Sequence, residues 1–327
     1  MAKQIYIHGG FLKTGSTYIQ NNLSNHRKYF FENHGVYFWG KNSSVILRSL
    51  CSPDPYNFKG NIIQNRTKPS EIDKFNILNK SSIFDSIDNL QSRKFLISAE
   101  SVSSYSEEEC INLCKLFQNY ECKIIFFIRN PLNFINSFSQ ELVKQGMHLN
   151  YLSMNPPFAS YEKKLETFMS IFGKENLIFI NYDDSTNLIK DLMNSIEILF
   201  DEDIQFSNED SRESISNIGI KFLDEYNFFY PRIIDGKLNP QRRYNINNLY
   251  GIASRFEGDK FKLAIDQSLK DKVMQKLSDE LTWLKGHGLD FEINSKDLLF
   301  RNDAYEKYLK KSNIVDKAHD ELTQNEK

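Results

Sequence analysis

The residues best suited to chemistry stand near the start of the sequence, in the run His8-Gly9-Gly10-Phe11-Leu12-Lys13-Thr14-Gly15-Ser16-Thr17. It combines one cation, three hydroxyls and three glycines, the residue types that hold an anion through side-chain donors and closely approaching backbone amides. The loop that cradles nucleotide phosphates has the pattern G-x-x-x-x-G-K-[ST], with its lysine after the last glycine and a hydroxyl for Mg²⁺. Here Lys13 precedes the last glycine, Gly15, and Ser16 stands where that lysine would be. Lys13 therefore reaches an anion from the opposite side of the loop. Ile5, Tyr6 and Ile7 form a short apolar run before the glycines, and Thr17 to Leu23 continue without Gly or Pro. A buried strand, a turn and a helix N-terminus are the elements that must position the loop.

A second cation follows a second strand. Ile124 to Ile128 is an unbroken apolar run, as in central parallel strands buried on both faces, and it ends at Arg129-Asn130-Pro131. Pro131 suits the first turn of a helix, which places Ser137 about two turns on, eight residues after Arg129. A guanidinium offers a rigid fork of donors that matches a phosphate dianion, and Ser137 adds a hydroxyl from the helix face. Alone, a strand-end arginine reads more readily as a capping or ion-paired surface residue. Together with the first loop it reads as a second anion ligand.

Lys13-Thr14-Gly15-Ser16-Thr17 after an N-terminal strand resembles the 5′-phosphosulfate loop of the sulfotransferases, and Ile7 to Thr17 resembles the bacterial carbohydrate-type branch. The resemblance implies that Lys13, Thr14, Gly15, Ser16 and Thr17 bind the 5′-phosphosulfate of 3′-phosphoadenosine 5′-phosphosulfate (PAPS), with Lys13 on the bridging oxygen. It implies that Arg129 and Ser137 bind the 3′-phosphate, that 3′-phosphoadenosine 5′-phosphate (PAP) is the product, and that no metal is needed. Leu177 to Ile180 with the Asp183-Asp184 turn, and Ser211 to Asn227, continue the resemblance over roughly residues 1 to 230. Sulfuryl transfer to a hydroxyl needs a base, a task suited to His or Glu. Glu100 opens a loop after the strand Phe95 to Ser98, and Glu100 to Tyr105 resembles the E-x-S-x-x-Y stretch of glycan sulfotransferases, with the middle serine displaced. Glu100 is the favoured base. His8, directly before the first loop, is the second candidate, and also reads as a packed strand-end histidine. Two alternatives stay open: a P-loop kinase or NTPase, and a non-catalytic glycan- or anion-binding protein.

The chain has 327 residues and a net charge of −2, which gives no reason to expect nucleic acid as a partner. The expected acceptor is a carbohydrate or glycolipid. No signal peptide precedes the first strand and no apolar run approaches 18 residues, so the reading is a cytoplasmic, bacterial enzyme without a membrane segment. Cys51, Cys110, Cys114 and Cys122 show no C-x-x-C spacing, which argues against a metal or disulfide framework.

The fold expected is α/β, a P-loop-type three-layer arrangement with a central parallel sheet flanked by helices and a mainly helical C-terminal region. The whole chain is expected to form one domain, its core at about 1–230 and a helical extension at about 231–327. Strands are expected at 4–8, 36–39, 94–98, 123–128 and 177–181. Helices are expected at 16–32, 107–119, 131–144, 159–172, 185–199, 217–229, 266–286 and 302–312. Residues 41–80 read as a polar, turn-rich acceptor-side insertion, and 146–158 as a loop able to gate the substrate. Arg242 and Arg243 lie in a turn-rich segment that either meets an anion or is solvated.

Overall fold

A computed structural model describes residues 3–89, 94–200, 204–207, 214–234, 237–242 and 246–301. The chain divides into two compact units, Met1–Arg129 with Ser160–Ser211, and Asn130–Ala159 with Arg212–Lys327.

The first unit is built on five parallel strands: β1 (Gln4–His8), β2 (Val36–Trp39), β3 (Lys94–Ser98), β4 (Glu121–Ile128) and β5 (Leu177–Asn181). Their order across the sheet is β2-β3-β1-β4-β5. All five are where the apolar runs predict them. Pairing aligns His8 with Ser98 on one side and with Ile125 on the other. Alternation along the strands sends Tyr6, Leu96, Ile125 and Phe127 to one face, where they pack with Ile19 and Leu23 of helix α1 (Ser16–Asn25), Phe30 of α2 (Arg27–His34) and Leu192 of a later helix. Phe126 points the other way. It meets Phe168 and the loop residue Phe11 at ring separations of 5.1 and 5.6 Å. Both faces are thus covered, as a parallel sheet requires. Each such side chain contributes on the order of 2 kcal/mol by leaving water.

Several helices differ from expectation for local reasons. The helix expected at 16–32 breaks at His26 into α1 and α2, and α2 ends at Gly35 in the left-handed region. Residues 41–80, expected to be turn-rich, form α3 (Ser44–Cys51), α4 (Lys59–Ile63) and the start of α5 (Pro69–Asn89). Pro53, Pro55 and Pro69 punctuate these helices rather than marking a long loop, since proline is tolerated in a helix's first turn. After α6 (Glu107–Leu116), α9 (Tyr161–Phe172) and β5 comes α10 (Leu188–Ser195). It begins later than expected because Asn187 caps it, accepting from the amides of Ile189 and Lys190.

The second unit contains α7 (Pro131–Lys144), α8 (Leu149–Met154), α11 (Asn217–Phe229), α12 (Ile246–Ala253) and α13 (Lys270–Gly286). Asn130 caps α7 by accepting from Leu132 and Asn133, with Pro131 as its first residue. The segment expected as a gating loop contains α8, whose first amide, that of Leu149, donates to Asp224 Oδ1 at 2.8 Å. The C-terminal region is helical but also holds two small sheets the sequence did not suggest. These are the antiparallel pair Ile233–Ile234 with Lys237–Leu238 and the parallel pair Ala264–Asp266 with Leu299–Arg301. Arg242 is partly exposed and donates to Tyr230 O at 2.8 Å and Asn227 Oδ1 at 2.9 Å. Arg243, residues 208–213 and the helix expected at 302–312 lie outside the described residues.

Candidate functional site

Parallel pairing in register brings the carboxyl ends of β3, β1 and β4 to one edge of the sheet. Glu100, the His8–Thr17 loop and Arg129 follow those ends directly. The chain leaves β1 towards β2 and leaves β4 towards β5, so the connections diverge between β1 and β4. That is the switch point at which open α/β sheets hold ligands.

The loop is anchored from below. Phe11 is buried and packs edge-on to Tyr161 at 4.7 Å, and Thr14 Oγ1 donates to Phe11 O at 2.5 Å. The backbone then takes two left-handed turns, at Lys13 (φ 67°) and at Gly15 (φ 72°). A non-glycine residue in that region is strained by roughly 1–2 kcal/mol, so the surroundings must hold Lys13 there. Arg129 does so, donating from Nη1 to Lys13 O at 3.0 Å. At Gly15 a Cβ would stand 2.5 Å from Leu188 Cδ1. Helix α1 starts immediately after with no side-chain cap and no acidic residue in its first turn. Its leading amides, on Ser16, Thr17 and Tyr18, have no intrahelical acceptor and carry the positive end of the helix dipole.

Among the described residues, two buried side-chain atoms next to Gly10 have no hydrogen-bond partner. They are His8 Nε2 and Ser16 Oγ, on residues 0% and 4% exposed. Both flank Gly10: a Cβ built there would meet Ser16 Oγ at 2.8 Å and His8 Nε2 at 3.0 Å. No side chain fits at this position, so glycine lets the loop pass close to both atoms. Buried polar groups are nearly always satisfied, so two unpartnered atoms beside one glycine of the loop are candidates to meet a ligand's polar atoms. On its far side His8 is well held, with Nδ1 2.9 Å from Ser98 Oγ, which also accepts from Gln20 Nε2 at 3.0 Å. Burial drives the His8 imidazole down to about 4, so it is neutral at pH 7.

Arg129 sits at the end of β4, with Nε 3.7 Å from Asp183 Oδ1 and its guanidinium over the Tyr182 ring at 5.2 Å. Tyr161 fixes the adjoining backbone by donating to Arg129 O at 2.9 Å. Glu100 opens a 3₁₀ turn, Glu100–Ser104, and is partly exposed. The turn is tied to α3, for Ser101 Oγ donates to Ser44 O at 3.1 Å. Beyond it Arg48 pairs with Glu109, and Glu109 forms a capping box with Ser106. The structure thus gathers His8, Lys13, Thr14, Gly15, Ser16, Thr17 and Arg129 about one loop and sets Glu100 on the adjacent strand's end. Ser137 is half-buried on α7, in the second unit.

Sequence reading missed Ser98, Gln20, Tyr161, Tyr182 and Asp183. Gln20 alone carried a signal, lying four residues after Ser16 on the same helix face. Among the described residues no group of three or more His, Cys, Asp or Glu could hold a metal ion. No described helix is long and apolar enough to cross a membrane. The four cysteines are free, and burial pushes the Cys110 thiol up to about 12.

No protein-family model matches the sequence, and no curated protein matches it. Among solved structures, the chain is similar to a sulfotransferase from Alicyclobacillus acidocaldarius. The identity is 14% and the TM-score 0.42, over 71% of this chain and 93% of that one. It is also similar to a sulfotransferase domain from the curacin biosynthetic pathway, at 11% identity and a TM-score of 0.37, over 91% of this chain and 95% of the other. At such values the chemistry has to be read from this chain's own residues.

Proposed function

We propose that the protein is a PAPS-dependent sulfotransferase acting on a hydroxyl of a carbohydrate. One observation carries the reading. A K-T-G-S-T loop with two left-handed turns leads into an uncapped helix N-terminus, beside Gly10 and the unpartnered His8 Nε2 and Ser16 Oγ that flank it. This donor set suits a sulfate or phosphate group. It lacks the lysine after the last glycine that an ATP- or GTP-binding loop requires.

When bound, the donor supplies the sulfuryl group. The amides and hydroxyls of Thr14 to Thr17 hold its 5′-phosphosulfate. Arg129 meets the 3′-phosphate with the guanidinium donors not committed to Lys13 O. Ser137, eight residues after Arg129 in the sequence, is the proposed hydroxyl partner of a donor phosphate. Glu100 takes the proton from the acceptor hydroxyl as that oxygen bonds to sulfur, and Lys13 stabilises the charge on the departing phosphate oxygen. A sugar of a capsule, lipopolysaccharide or other glycan is the proposed acceptor, and the bacterial cytoplasm the proposed location.

Calorimetric titration with PAP, AMP and ATP–Mg²⁺ tests the reading. Tight binding of PAP that needs the 3′-phosphate supports it. Preference for ATP–Mg²⁺ moves the chain to the kinases, and binding of glycans but none of the nucleotides leaves a non-catalytic binding protein.

A further inference from the structure

We propose that His8 is a neutral hydrogen-bond donor to the bound oxyanion, locked as its Nε2–H tautomer by a Gln20–Ser98–His8 relay, and is not a proton acceptor in the reaction. The inference deepens the reading of the loop as a sulfate or phosphate site and assigns this histidine the role opposite to a base.

The protons around Ser98 fix the tautomer. Gln20 Nε2 donates to Ser98 Oγ at 3.0 Å. Ser98 is buried, and among the described residues its hydroxyl hydrogen has one acceptor in reach, His8 Nδ1 at 2.9 Å. Were Nδ1 protonated instead, Ser98 Oγ would receive two donors and its own O–H would be buried without an acceptor, an unfavourable state. The satisfied arrangement runs from Gln20 N–H to Ser98 Oγ, and from Ser98 O–H to His8 Nδ1. The imidazole is neutral, so its one proton then resides on Nε2. That N–H lies beside Gly10, as Ser16 Oγ does, and meets no acceptor among the described residues. Phe127 packs edge-on to the ring at 5.5 Å and fixes its plane. A neutral donor suits a site already supplied with Lys13 and Arg129. It adds a directed hydrogen bond without a further charge, and its low proton affinity keeps it from removing a proton from an acceptor hydroxyl.

The test is nitrogen NMR of the full-length protein with ¹⁵N-labelled histidine, near pH 7, free and titrated with inorganic sulfate and with PAP. His8 is assigned by loss of its signals in His8→Phe. The expected spectrum has Nε2 at the protonated and Nδ1 at the unprotonated position, and sulfate or PAP shifts Nε2. Gln20→Met should release the lock and mix the tautomers. In calorimetry His8→Phe should weaken anion binding roughly ten- to a hundredfold, and His8→Gln, which restores an N–H at the same reach, should recover most of it. A proton on Nδ1, or anion binding indifferent to His8→Phe when that variant is folded, overturns the proposal. An Nε2 signal that neither ligand moves overturns it as well. If sulfate shifts Nε2 while PAP binds no better than AMP, the tautomer and donor role stand and the sulfotransferase reading falls.

Discussion

Two buried polar centres in this chain are built on opposite plans. At the joint of α7, α11 and the turn after Tyr230, Asn227 is 1% exposed and every polar atom of its side chain is used. Its Nδ2 donates to Val143 O and Met147 O, and its Oδ1 accepts from Arg242. Gln140 likewise donates to Ser214 and accepts from the Ile215 amide. At the loop after β1, His8 and Ser16 are equally deep, yet each keeps an unpartnered atom turned towards Gly10. Completed networks rigidify a fold; incomplete ones are retained where something else completes them. Unpartnered buried atoms also occur elsewhere, at Ser139 Oγ and Asn217 Oδ1; what sets His8 and Ser16 apart is that both border one glycine of the loop.

The strongest way to break the contrast is Lys13→Ala. Transfer from PAPS should fall by a factor on the order of 10²–10³, the usual loss when a charge stabiliser is removed, with thermal stability little changed. Near wild-type turnover in a PAP-release assay with acceptor present would remove Lys13 from the chemistry. Acid provides the next largest effect. The folded His8 value, about 4, lies below the ordinary 6.5, so between those limits the unfolded chain holds the extra proton. Stability is therefore retained above about pH 6.5 and falls as pH drops towards 4, by some 3 kcal/mol in all. His8→Gln should flatten that portion of a urea-denaturation series. Arg129→Ala should weaken PAP by about ten- to a hundredfold and erase its advantage over AMP in calorimetry. Arg129→Lys should restore little, because an ammonium cannot serve Lys13 O and a phosphate with one fork. The smallest effect sharpens the contrast from the other side. Asn227→Ala should cost about 1–3 kcal/mol, seen as a drop of a few degrees in Tm, and leave PAP affinity unchanged.

Much of the first unit was legible because its strands are fully buried. Runs such as Ile124–Ile128 announce themselves by composition, and the glycines and Pro131 mark their ends. The cation, hydroxyls and glycines of the loop were legible by type and spacing. What supports them was not. Ser98 and Gln20 are ordinary residues 78 positions apart, joined only when β3 pairs with β1. Residues 41–80 misled because polar helices with prolines between them have the composition of a loop. The small sheets of the second unit are two or three residues long, too short for any alternation to show.

The path of the backbone between the units bears on how the protein is made. The chain leaves the first unit after Arg129, returns at Ser160 and leaves again after Ser211. On a ribosome, the sheet's edge strand β5 emerges only after the 30 residues of Asn130–Ala159, which belong to the other unit. Four of the five strands are thus ready before the last can dock, and the second unit waits still longer for its remaining helices. No single cut releases either unit whole. A laboratory that wants the anion site alone would have to excise Asn130–Ala159 and splice Arg129 to Ser160, at the residue that holds the loop in shape.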